Sequence, residues 1–119
     1  MTNKDFNEMF RKRTKVFAMN VIKFLEPIPY NSATRVISFQ LCKAATSVGA
    51  NFRAFCRGRS RNERFSKICI VVEEADETQY WLELFFETDY GNKDDIDILI
   101  SEATEIVKIT TTIKDNMTD

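Results

Sequence analysis

A chain of 119 residues, 44% of them hydrophobic, has enough material for one core, and its three glycines and two prolines are too few for many short elements. It contains no histidine, which removes Ser–His and Cys–His nucleophile pairs and the Glu-x-x-His ligand sets of di-metal carboxylate bundles. The formal net charge of −1 hides an asymmetry: residues 1–67 hold 14 Lys and Arg against 4 Asp and Glu, and residues 68–119 hold 3 against 14.

Taken in order, the chain predicts four helices. Thr2 or Asn3 can cap the first, and Phe6, Phe10, Phe17, Val21 and Phe24 recur at helical spacing to about Leu25. Two prolines in Glu26-Pro-Ile-Pro-Tyr-Asn31 stop that helix and hold the chain extended. Asn31 or Ser32 caps the second, whose seam is Ile37, Leu41, Ala44, Val48, Phe52 and Phe55. Gly49 inside it, with Ala44, Ala45, Ala50 and Ala54, predicts a small-residue surface that a neighbouring helix approaches closely. Helix three follows a 3–4 alternation through Phe65, Ile68, Val72, Ala75, Gln79, Leu82 and Phe86, leaving Val71, Trp81, Leu84 and Phe85 as a second apolar stripe. A small bundle uses one stripe per helix, so the second predicts a partner surface. Asn92 caps helix four, with Asp94 and Asp95 in its first turn and Ile96, Leu99, Ile100, Ala103, Ile106, Val107, Thr110 and Ile113 as its stripe. The expected spans are residues 4–25, 32–57, 61–88 and 93–114. Their short connections predict a single all-α domain over residues 1–119, an antiparallel up-down-up-down four-helix bundle.

The turn between helices two and three is written locally. Gly58 is placed to close a helix in the left-handed conformation, and Ser60 and Glu63 have the spacing of a capping box. A turn there also sets register: Lys43 falls level with Asp76 and Gln40 with Gln79, which predicts a polar layer of an ion pair beside an amide contact. Acids on successive positions of Glu73-Glu74-Ala75-Asp76-Glu77 spread around the helix and read as solvated groups, so neither a metal nor a cofactor is expected.

The charge asymmetry becomes a dipole once the chain is folded up-down-up-down. One end of the bundle, residues 1–15, 53–67 and 105–119, holds 13 basic and 6 acidic groups; the other holds 4 and 12. The basic candidates are Arg11, Lys12, Arg13 and Lys15 on helix one, with Arg53, Arg57, Arg59, Arg61, Arg64 and Lys67 around the turn. Helix C-termini favour cations, but Arg61 and Arg64 stand at a helix start, so capping explains only part of the cluster and an anionic partner the rest. The polar N-terminus lacks the apolar stretch of a secretion signal, and no apolar run approaches the roughly 18 residues of a membrane span. With cysteines Cys42, Cys56 and Cys69 unpaired in spacing, a cytoplasmic protein with reduced thiols and no membrane association is expected.

Two stretches carry a family likeness. Gly49-Ala-Asn-Phe-Arg-Ala-Phe-Cys-Arg-Gly-Arg-Ser60 and Ile70-Val-Val-Glu-Glu-Ala-Asp-Glu-Thr-Gln-Tyr-Trp-Leu-Glu-Leu84 resemble the bacterial four-helix-bundle family encoded in intervening sequences of 23S rRNA genes. Phe55 and Gly58 stand where alanines are expected, and Arg64 where an aromatic is. The resemblance implies a ring-like homopentamer, as in the related accessory variability protein of diversity-generating retroelements, which binds nucleic acid and a reverse transcriptase. It implies no catalytic residue, and with no histidine a non-enzyme is expected. The oligomer interface expected from the residues is Gly49, Ala50, Ala54, Val71, Trp81 and Phe85. Two functions of different class follow: a ribonucleoprotein-type accessory protein whose basic face binds RNA or DNA without base specificity, or a structural adaptor whose ligand is another protein.

Overall fold

The computed structural model describes residues 1–118; Asp119, the last residue of the expected domain, lies outside the described residues. Helices α1 (Asn3–Leu25), α2 (Ser32–Cys56), α3 (Arg61–Glu87) and α4 (Lys93–Asn116) form the antiparallel bundle, with boundaries within two residues of those expected. The bundle measures 44 × 25 × 20 Å, one helix long and two helices thick in each cross-direction.

The caps follow local chemistry. Thr2 accepts from the Asp5 amide while Asp5 reaches back to the Thr2 amide. Asn31 accepts from the amides of Ala33 and Thr34, and Asn92 from that of Asp95. Ser60 accepts from the Glu63 amide at 3.1 Å, but the Glu63 carboxylate turns to the Arg59 amide, 2.7 Å away, so the expected reciprocal box is open on one side. Gly58 does not take a positive φ either. A Cβ there would fall 2.4 Å from Arg64 Cγ and 3.3 Å from the Arg64 amide nitrogen, so Gly58 serves the close approach of α3 to the end of α2.

The α3–α4 turn is where left-handed backbone is used. Asp89 has φ 63° and Gly91 φ 84°; the Tyr90 amide donates to the Phe85 carbonyl and the Tyr90 ring meets Phe85 edge-on, the Schellman arrangement with its apolar contact. A Cβ on Gly91 would also stand 2.7 Å from Phe24. Gly91→Ala should therefore lower stability by about 1–3 kcal/mol, read as the urea-unfolding midpoint. An unchanged midpoint would mean that the turn relaxes freely.

The core runs through the bundle's length: Phe10, Phe17 and Val21 of α1, Leu41, Val48 and Phe52 of α2, Ile68, Val71, Leu82 and Phe85 of α3, Ile96 and Ile106 of α4. In α3 the buried positions are Ile68, Val71, Ala75, Thr78, Leu82 and Phe85, which moves the seam off the expected frame. Val71 and Phe85 are thus core residues and cannot form the expected oligomer interface; Val72, Gln79 and Phe86 sit half-buried at its edge. Four buried threonines complete the core. Thr14, Thr34, Thr78 and Thr110 each return the hydroxyl to a backbone carbonyl three to five residues earlier, so none needs a distant partner.

The same rotation of α3 removes the expected polar layer. Gln79 donates to Thr104 of α4 at 2.5 Å rather than meeting Gln40, and Asp76 faces solvent. Among the described residues, Lys43 and Asp76 form no ion pair. Lys43 acts instead on Glu74, whose carboxyl is held above its usual range by burial and by Glu77 and Glu73, with Lys43 opposing them. Packing is most extensive between α2 and α3, and the seam between α1 and α4 is the loosest of the four.

Candidate nucleic-acid interface

Helix spacing gathers the basic side chains at one end. Arg11 and Lys15 are four apart on α1, and Arg53 of α2 is four residues before Arg57 at its C-cap, so each pair forms a ridge. Between the ridges lies a shallow groove of about 460 Å³. Its floor is made of Ala18, Thr46, Gly49 and Ala50. Gly49 lies against α1: a Cβ there would make ordinary contact with the Thr14 carbonyl oxygen, at 3.4 Å. The half-buried glycine thus sits at the α1–α2 contact inside the monomer, as well as on the floor of the groove.

The groove continues around the end of α2. Arg53 and Arg57 also line a second hollow, with Ala54, Gly58, Arg59 and Lys67. Seven basic groups therefore border one continuous surface: Arg11, Lys12, Lys15, Arg53, Arg57, Arg59 and Lys67. Glu63 is the acid among them. Among the described residues, none of the seven forms an ion pair. The carbonyl end of α2 beneath them offsets part of their mutual repulsion. Cys56 lies under the cluster; burial pushes its thiol up, against the pull of Arg11, Arg64 and Arg57.

The other three candidates are engaged elsewhere. Arg13 points to α4 and holds Glu102 through two bonds, Nε and Nη2 at 2.8 and 2.7 Å, which raises the guanidinium pKa further. Arg61 donates to the Met117 carbonyl at the end of α4. Arg64 lies over the Phe55 ring at 5.3 Å. The contact matches an arginine with an aromatic across the turn, at two of the positions where other residues are expected from the resemblance.

Of the remaining interface candidates, Ala50 is exposed and Ala54 half-buried on α2. Trp81 is half-buried, donating to Glu77 at 3.0 Å and meeting Tyr80 edge-on at 5.0 Å. Sequence reasoning missed Ala18 and Thr46 in the groove floor. Their signal was smallness at helical spacing, Thr46 before Gly49 and Ala50.

Fold and site together define an antiparallel four-helix bundle with an open basic groove at one end. The chain belongs to the 23S rRNA-intervening sequence protein family, whose model matches residues 7–112. It is similar to the crystal structure of a protein of unknown function from the S23 ribosomal protein family of Bacteroides thetaiotaomicron, with 28% identity, a TM-score of 0.81, and coverage of 92% of this chain and 97% of that one. No curated protein matches the chain. No helix among the described residues is long and apolar enough to cross a membrane.

Proposed function

We propose that this protein is a non-enzymatic, cytoplasmic accessory protein that binds the phosphate backbone of RNA or DNA in its basic groove and acts as a homopentameric ring. The observation that carries the reading is the convergence of seven basic side chains, without ion-pair partners among the described residues, on one floor of small residues. Small side chains let a backbone come close, and the seven charges replace the counterions it releases.

Base readout is not part of the proposal. The strongly exposed aromatics, Tyr30, Phe39 and Tyr80, all lie outside the groove, so no stacking platform accompanies the charges. Affinity is expected to be independent of sequence and to fall steeply with salt. For four to six phosphates contacted, the slope of log K against log salt should be about −3 to −5. Filter binding of the intact protein to RNA and DNA of several sequences reads this directly. Absence of binding at low salt would leave the protein-adaptor function in its place.

A further inference from the structure

We infer that the cleft between α1 and α4 receives an apolar ridge on α2 of a second copy of this chain. The inference rests on the assembly reading above and assigns its contact.

The cleft exists because the α1–α4 seam is loosely packed. Its α4 wall presents Asp95, Ile98, Glu102 and Glu105 at steps of three to four residues, and its α1 wall presents Arg13, Val16, Asn20 and Lys23. Arg13 is neutralised by Glu102, so the rim is net acidic. Val16 is 51% exposed and Ile98 67%, a large apolar pair left open to water inside an acidic frame.

The complementary surface lies elsewhere on the same molecule. Val36 and Phe39 are three residues apart on the outer side of α2, 48% and 63% exposed. Exposed Arg35 and Lys43 flank them. An apolar ridge framed by bases thus matches an apolar cleft framed by acids.

Height along the bundle selects the part of the cleft that the ridge can reach. Gly49 lies against Thr14. Phe39 is ten residues before Gly49, about 15 Å nearer the acidic end at 1.5 Å per residue. The same distance along antiparallel α1 leads from Thr14 to Phe24, which lines the cleft with Lys23, Asp95 and Ile98. Phe39 therefore stands level with the end of the cleft nearest Phe24, where Ile98 is the exposed apolar residue of the lining, and Val16 lies about 12 Å further along α1. In the ring proposed above, this contact between different patches is the one repeated from copy to copy. All copies then point the same way, and their basic grooves share one rim.

Two surface variants test this. Phe39→Asp removes the ridge and keeps the cleft; Ile98→Asp does the reverse. Both positions are exposed, so the fold should survive, as circular dichroism would verify. Light scattering should find wild type assembled and each variant alone monomeric. An equimolar mixture should form a dimer and nothing larger, because only one live ridge faces one live cleft. The mixed dimer lacks the second contact each subunit has in a ring, so it is measured at high protein concentration. Unchanged mass for both variants with wild type assembled would overturn this contact and leave the assembly reading intact, and so would a mixture that stays monomeric. A wild type that is itself monomeric at micromolar concentration would overturn both.

Discussion

Phe85→Ala should cost about 3–5 kcal/mol of folding free energy, and Phe86→Ala, one residue on, about 1–1.5. Phe85 is fully buried, with ring centroids 6.0 Å from Phe24 and 6.4 Å from Tyr90. Deleting the ring removes its transfer free energy and leaves a cavity lined by α1 and the α3–α4 turn. Phe86 is half-buried, with the Lys93 ammonium 4.1 Å from its ring centroid at the surface. Water and the lysine stem can fill the space it leaves. The seam read from periodicity reverses the order, with Phe86 in the core and Phe85 outside it. Urea denaturation of the two variants decides between the frames: equal losses, or a larger loss for Phe86→Ala, would contradict the core described here.

The same comparison shows what was legible in the sequence. Helix ends were readable because their causes lie within four residues: Thr2 with Asp5, Asn31 with the next turn, two prolines after Leu25, Asn92 before an acidic first turn. The face that α3 turns inward was not. Apolar residues ring that helix, so two frames one step apart both look continuous. The frame is set by Thr78, which the apolar count passes over because a threonine that satisfies its own hydroxyl at the Glu74 carbonyl can be buried like valine. The polar layer failed for the same reason, since a rotation of α3 carries Gln79 from α2 to α4. At the candidate site, the clustering of charge at one end followed from topology and counting alone. The fate of each arginine did not: Arg13 ends on Glu102, 89 residues away, a contact that exists only after the α1–α4 seam has closed.

That division between engaged and open arginines leads to the largest effect expected on binding. Replacing Arg53, Arg57 and Arg59 together with glutamine should lower affinity for RNA or DNA by about 10²–10³ at 0.1 M salt. Each phosphate contact contributes a factor near eight at that salt, because log K changes by about 0.9 per contact per decade of salt concentration. Three lost contacts therefore give roughly 500-fold, and the salt slope should fall by about 2–3 at the same time. All three residues are exposed, so the fold should tolerate the change; Arg53 and Arg57 border both hollows of the groove, and Arg59 extends the second. Arg13→Gln is the matched control. It removes a positive charge from the same end of the bundle, but one already committed to Glu102, so affinity should stay within about a factor of three while the α1–α4 seam loses its ion pair. A general loss of positive field would weaken binding by similar factors per charge in both variants. Retained affinity in the triple variant with its oligomeric mass unchanged, or a loss in Arg13→Gln equal to one third of the triple effect on a logarithmic scale, would show that the groove is not where the phosphates lie.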